Sequence, residues 1–348
     1  MKTHIEASNL ISAASELAQA PPRRASAWQI ACDYASIARP DHWFKNAFML
    51  LGVILAFFYE PELFTWESAP RLLLAVLATC LVASSNYVLN EILDGPTDSL
   101  HPEKKHRPVP SGQVRVPIAY VEWIALAVLG LTISFSINSW FGASALLLWV
   151  FGITYNVPPI RTKELPYVDV LSESANNAIR LMLGWFALTT EFFPPVSLTL
   201  SYWMLGAFFM AIKRFAEYRH IADHKLAGAY RKSFRHYTEE SLLISVLFYA
   251  TACALFGGIF IVRYHVELIL FVPLAAGVFA QYLRLGLAPN SPVQHPEKLY
   301  KHRRFVTYMT ITVIAFVVLM FTSIPPLSEL LNVEPSSAEP LWTLGSSS

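Results

Sequence analysis

The sequence predicts an all-α, polytopic membrane protein, and three observations carry that prediction. Hydrophobic residues make up 54% of the 348-residue chain and charged ones only 15%, whereas a soluble domain carries about 25% charged residues. The apolar residues gather into stretches of roughly 17–22, the length that crosses a bilayer as a helix. Lysine and arginine collect in alternate connections between those stretches, which sets a sidedness. The formal net charge of +1 says little about partners, because charge is segregated by loop, and no nucleic-acid partner is expected. Cys32, Cys80 and Cys253 have no metal or redox spacing and read as unpaired packing residues.

Residues 1–34 read as a partly disordered tail, polar and rich in Ala and Ser, with Pro21-Pro22-Arg23-Arg24 and no basic-then-apolar signal peptide. About nine helices follow, near 43–59, 71–93, 118–137, 140–156, 168–190, 197–216, 240–262, 265–287 and 305–323. The close pairs 118–137/140–156 and 240–262/265–287 read as tight hairpins. The connections 60–70 and 191–196 are short, with Glu60, Glu62, Glu67 and Glu191. The basic residues fall in 94–117, 157–167, 217–239 and 288–304, and before the first span at Arg23, Arg24, Arg39 and Lys45. By the positive-inside rule the N-terminus is cytoplasmic and the C-terminus lies outside, in a cell (inner) membrane. Residues 35–325 form the membrane domain, and the Pro/Ser-rich stretch 326–348 reads as a disordered tail.

The chemistry centres on Asn90-Glu91-Ile92-Leu93-Asp94-Gly95-Pro96-Thr97-Asp98, where the second span ends. Asn90, Asp94 and Asp98 recur at i, i+4 and i+8, which places them on one face of a continuous helix. Oxygen donors at this spacing suit Mg²⁺, normally held by one or two carboxylates plus substrate phosphates. Pro96 lacks an N–H and opposes the carbonyl of Ile92, so the helix is expected to break near Gly95, with Asp98 reaching in from a loop. Lys104, Lys105 and Arg107 follow and suit phosphate, although positive-inside topology alone would place them there. Four more polar clusters sit at the same end. They are Arg39 to Asn46, Tyr155 to Lys163, the Asp169/Glu173/Asn176/Asn177/Arg180 series, and Lys213-Arg214 with Glu217. Ionisable groups at membrane depth default to a functional hypothesis. The Asp169 series reads equally as a packing network, and Lys213, Arg214 and Glu217 as snorkelling residues with an i, i+4 pair. Tyr230, His236 and Tyr237 receive no role.

Several of these residues resemble the UbiA superfamily of intramembrane prenyltransferases. The likeness is carried by Asn90-x-x-x-Asp94-x-x-x-Asp98, by His101-Pro102-x-x-Lys105-x-Arg107-Pro108 running to Ser111-Gly112, and by Tyr155-Asn156-x-x-Pro159-x-x-x-Lys163. Within that superfamily the chain is similar to the decaprenyl-phosphate phosphoribosyltransferase subgroup. Arg39-Pro40-x-x-Trp43-x-Lys45-Asn46, Lys213-Arg214-x-x-Glu217 and Tyr237-Thr238 carry this, and the likeness covers about residues 35–325.

The resemblance implies a nine-helix bundle with its active site open to the cytoplasm. It implies Mg²⁺ on Asn90, Asp94 and Asp98, with Asp94, Asp98 and Glu217 as catalytic residues. Lys45, Asn46, Lys105, Arg107, Tyr155, Lys163, Lys213 and Arg214 would contact substrate. Two positions depart from the pattern: Glu91 stands where the subgroup has Asp, and no second Asp-rich motif follows the sixth span, where Asp223 is the only nearby aspartate. The implied reaction moves 5-phosphoribose from phosphoribosyl diphosphate to a polyprenyl phosphate such as decaprenyl phosphate, in cell-envelope precursor synthesis. Prenyl transfer from a polyprenyl diphosphate to an aromatic or haem-like acceptor is the alternative within enzymes, and an ion-coupled transporter the alternative outside them. The oligomeric state is left open.

Overall fold

A computed structural model describes residues 26–99, 104–221, 228, 231–294, 296–331 and 342–343. His101, Asp223, Lys225 and Tyr230, and most of both expected tails, lie outside the described residues. Helix α1 (Ala27–Ile37) opens on Ser26, whose hydroxyl accepts from the Gln29 N–H, and straddles the boundary placed at residue 34/35. A 3-10 segment, Pro40–Met49, leads into α2 (Leu50–Tyr59). Next come α3 (Ser68–Asp98), α4 (Val116–Ile137), α5 (Ser139–Asn156) and α6 (Val168–Phe186). The chain continues through α7 (Val196–Ile221), α8 (Glu239–Tyr264), α9 (Val272–Leu287) and α10 (Arg303–Met320). A last short helix, α11 (Pro325–Leu331), enters the stretch expected to be a disordered tail.

Each of the nine expected ranges contains a helix, and seven helical segments are long and apolar enough to cross a membrane. The two that fall short are α5, which ends on polar Thr154 and Asn156, and α6, which carries Asp169, Glu173 and Arg180. Burial sorts the bundle. The apolar window of α3 is 56% buried, against 17% for α4 and 11% for α10, so α3 is central and the other two are peripheral. Leu247, Phe248 and Leu255 on α8 are exposed, as side chains facing hydrocarbon are.

The first expected hairpin, α4/α5, forms, whereas α8 and α9 are joined by a short turn but do not pair closely, α8 packing chiefly on α7. Between α4 and α5 the Asn138 side chain accepts from the Phe141 N–H at 2.8 Å and donates to the Phe186 carbonyl at 2.7 Å, so one residue caps α5 and ties it to α6. Between α8 and α9 the chain turns at His265, 3.3 Å from Glu267. One apolar core lies among α2, α3, α5 and α6, with Leu55, Phe58, Val82, Leu148 and Trp185 buried in it. A second lies among α7, α8, α9 and α10, around Phe208, Ile212, Tyr249 and Tyr282.

Two glycines fix the contact that matters most for the site. A Cβ on Gly52 of α2 would run into the Leu181 carbonyl oxygen, and one on Gly184 of α6 into that of Met49. Each backbone therefore rests on the other, the close approach small residues permit between membrane helices. Gly184→Val is expected to cost about 3 kcal/mol or more by overpacking. The check is a lowered thermal midpoint in detergent together with lost activity, because Lys45 and Asn46 sit just ahead of the seam.

One expectation is corrected. The second helix does not break at Gly95 but runs through Pro96 to Asp98. Proline forfeits its N–H bond and crowds the Ile92 carbonyl, but only the final turn follows it, and there Ser99 N–H still reaches the Gly95 carbonyl at 3.0 Å. Asp98 is thus a helix residue, in register with Asn90 and Asp94.

Candidate active site

The C-terminal end of α3 supplies an acidic stripe, and two loops bring cations to it. Lys163, in the 3-10 turn Thr162–Glu164, places its ammonium 2.5 Å from Asp94 Oδ1, 3.3 Å from Asn90 Oδ1 and 3.0 Å from Asn156 Oδ1. Arg161 donates to the same Asp94 oxygen at 3.0 Å. Farther along the stripe, Asp98 accepts from Arg107 at 2.7 Å and has Lys104 at 3.8 Å. Lys105, the expected substrate contact, is exposed instead. Adjacent residues of one short 3-10 turn point apart, and Lys104 is the one directed at the acid. Glu91 is rotated off the stripe and buried, and its carboxylate accepts the Val109 N–H at 3.2 Å. It therefore anchors the loop that presents Arg107 and is not a further donor on the stripe.

Facing this stripe is a second network built on Arg214 of α7. Arg214 is 1% exposed, and each of its nitrogens meets a carboxylate: Nε with Asp169 at 3.1 Å, one terminal nitrogen with Glu173 at 2.7 Å and the other with Glu217 at 3.1 Å. Arg214, expected to contact substrate, is thus buried with its charge countered by three carboxylates, and in this arrangement it ties α6 to α7. Tyr155 donates to Glu173 at 3.0 Å, and Lys213 lies 3.9 Å from Glu217. Asp169 is fully buried and also accepts from Tyr237 at 2.8 Å, with Arg231 at 3.6 Å. Tyr237, left without a role in the sequence, accepts the Tyr167 N–H and so pins the 231–238 loop to the start of α6. Thr238 then caps α8 in a reciprocal box with Ser241.

The two networks meet at one end of the bundle. Asn156, on Lys163, and Tyr155, on Glu173, are consecutive residues of α5. Lys45 interacts electrostatically with Glu173, Lys213, Arg39 and Arg180. Lys45, Asn46, Asn90, Asp94, Asp98, Arg107, Tyr155, Lys163, Lys213 and Glu217 therefore gather around one region. The residues that received no site role of their own from the sequence are Arg161, Asn156 and Arg231. Arg161 has φ of 27°, a strained conformation for a non-glycine residue. That geometry turns its guanidinium onto Asp94, and no sequence pattern encodes it.

The donor set fits Mg²⁺ shared with a ligand. Asn90, Asp94 and Asp98 offer only oxygen from one helix face, and no closed cluster of His, Cys, Asp and Glu is found among the described residues. Magnesium commonly takes one or two carboxylates and completes its shell with phosphate and water. Around the acids, burial pulls the Lys163 ammonium below the ordinary lysine range, although the Asp94 charge opposes the shift. Lys163 is a cation only below its pKa, so lowering that pKa removes the charge at a lower pH than usual. The alkaline limb of kcat/KM is accordingly expected to move to higher pH in Lys163→Arg, as a pH profile would show. Lys163→Met is expected to lose roughly tenfold to hundredfold, the worth of one charged hydrogen bond.

Comparison with known proteins gives a consistent picture. The model of the UbiA prenyltransferase family matches residues 47–305. The chain is 30% identical over 221 residues to a Corynebacterium glutamicum protein named decaprenyl-phosphate phosphoribosyltransferase, covering 62% of either chain. It is 35% identical over 124 residues to a Flavobacterium psychrophilum protein named protoheme IX farnesyltransferase, covering 35% of this chain and 39% of that one. In structure it is similar to a UbiA homologue from Archaeoglobus fulgidus solved with GPP and Mg²⁺, with a TM-score of 0.61 and 19% identity over 83% of this chain and 99% of that one.

Proposed function

From the premise that the chain belongs to the UbiA prenyltransferase family and is a transferase, we propose that it moves 5-phosphoribose from phosphoribosyl diphosphate to a polyprenyl phosphate and releases diphosphate. The observation that carries this reading is the asymmetry of the site. One wall is an acidic stripe with Lys163, Arg161, Arg107 and Lys104 already at its carboxylates, while on the other wall, where a second aspartate cluster would stand, Asp169, Glu173 and Glu217 are tied up by Arg214 and leave no second open metal-binding face. A donor with a 5-phosphate as well as a diphosphate suits one metal-binding wall and a surplus of cations. The relative named decaprenyl-phosphate phosphoribosyltransferase supports phosphoribosyl transfer to a polyprenyl phosphate.

In this reading the bond from ribose C1 to the diphosphate oxygen breaks, and its electron pair leaves with the diphosphate. An oxygen of the acceptor phosphate forms the new bond to C1. That phosphate is already ionised, so no general base is required. Asn90, Asp94 and Asp98 would hold Mg²⁺, which when bound neutralises charge on the leaving group. Lys163, Arg161, Arg107 and Lys104, already at those acids, are within reach of phosphates held there and stabilise charge developing on the diphosphate. Tyr155 and Glu217 line the opposite wall. The site opens to the cytoplasm, with nine crossings, a cytoplasmic N-terminus and an external C-terminus, in the inner membrane. The membrane domain spans residues 35–325.

Feeding labelled phosphoribosyl diphosphate to membranes and extracting the lipid tests the reading. Label in the organic phase is expected. The likeness to the protein named protoheme IX farnesyltransferase favours the second reading, prenyl transfer to an aromatic acceptor. That reading wins if the label stays aqueous and a polyprenyl diphosphate is consumed.

A further inference from the structure

Arg180 of α6 is set apart from the other buried charges of the site. It is 7% exposed, yet it makes no ion pair with any described carboxylate. Its Nε donates to Asn46 Oδ1 at 2.9 Å and one terminal nitrogen to the Asn176 carbonyl at 3.3 Å. The other terminal nitrogen has no partner among the described residues. Lys45 is in the same condition: within hydrogen-bond and ion-pair range it has no described partner, and its ammonium lies 5.9 Å from the centre of the Tyr87 ring. The two cations are close enough to repel each other. A buried charge without a counter-charge costs several kcal/mol, and at membrane depth such a residue marks a ligand pathway by default.

The arrangement is built. Asn46 is buried and its amide donates to Cys80 Sγ at 3.1 Å, which directs its carbonyl at Arg180 and locks that side chain. Arg180 follows Glu173 by seven residues, so at 1.5 Å per residue it lies about 10 Å farther along α6. Lys45 is near enough to feel the charges of both Glu173 and Arg180. On the 3-10 segment that carries Lys45, Phe44 is 60% and Phe48 44% exposed, and Phe48 meets Tyr202 edge-on with ring centres 6.4 Å apart. Three unspent N–H donors on a guanidinium, an ammonium and an apolar rim match a phosphate monoester carried on a hydrocarbon chain.

We propose that Arg180 and Lys45, positioned by Asn46, form a second anion site that holds the phosphate of the acceptor lipid, one level deeper than the donor diphosphate. The identity of the ligand as the acceptor rests on the phosphoribosyl-transfer reading; the site itself does not. The test uses full-length protein in nanodiscs, with farnesyl phosphate, farnesol and inorganic phosphate as probes in thermal-shift measurements. Farnesyl phosphate is expected to raise the melting temperature of the wild type, while farnesol and inorganic phosphate at equal concentration do not. Arg180→Gln is expected to abolish that shift and to raise KM for polyprenyl phosphate at least about tenfold. The Kd of Mg²⁺-phosphoribosyl diphosphate is expected to stay within about twofold, and Arg180→Lys to restore part of the shift. Should Arg180→Gln fail to fold, Lys45→Gln and Arg180→Lys carry the same comparison. The proposal is overturned if the farnesyl phosphate shift survives Arg180→Gln, or if inorganic phosphate reproduces it. It is equally overturned if donor binding is what Arg180→Gln destroys. If the wild type transfers no phosphoribose but the shift depends on Arg180, the proposed reaction falls and the anion site stands.

Discussion

Asp94→Asn is expected to lower transfer by about 10³-fold while the protein folds and inserts normally. The substitution keeps volume and removes one charge, so it isolates electrostatics from packing. Asp94 sits at the middle of the α3 stripe, where Lys163 and Arg161 converge on a single oxygen. Losing the carboxylate removes the charged oxygen that would hold the metal in the proposed reaction, and with it the charge that seats both Lys163 and Arg161. Loss of one preorganised group in such a site typically costs 10²–10³, and here two functions depend on it. Asp94 is partly exposed, so the effect on stability is small. Transfer in membranes, normalised to monodisperse protein, measures the outcome, with Glu62→Gln in a connection remote from the stripe as the unaffected control. Full activity in Asp94→Asn would refute the assignment of the metal to this stripe.

Arg214→Met is expected to damage the fold itself. The wild-type guanidinium is 1% exposed and satisfies Asp169, Glu173 and Glu217 from three directions. Methionine fills the space but leaves these acids facing one another. Breaking a buried pair by removing one partner costs about 3–5 kcal/mol, a fall in thermal midpoint on the order of 10 °C. Arg214→Lys is expected to rescue little, because one ammonium cannot reproduce a planar fork aimed at three carboxylates. Thermal unfolding in detergent checks both variants. An unchanged midpoint in Arg214→Met would show that the network contributes nothing to folding.

Much of the arrangement was legible in the residues, for identifiable reasons. The helices could be placed because a bilayer demands long apolar runs, and the acidic stripe because four-residue spacing survives as a common face. What failed depended on partners. Pro96 suggested a break, yet its missing N–H costs little at the last turn of α3. Lys104 and Lys105 are indistinguishable as letters, and only the turn decides which one reaches Asp98. Arg214 shows as a charge in the sequence, and only the fold shows the three acids that surround it. Arg180 looked like part of a salt-bridged face, and it proves to lack a carboxylate partner among the described residues.

The glycine seam between α2 and α6 also limits how the protein can move. With backbone against backbone at Gly52 and Gly184, there are no side chains to repack if the two elements slide, so they travel as one rigid body. The seam thereby holds the start of α2, just after the segment that carries Lys45, against the helix that carries Arg180. A lateral doorway wide enough for a lipid tail has to open along some other helix boundary.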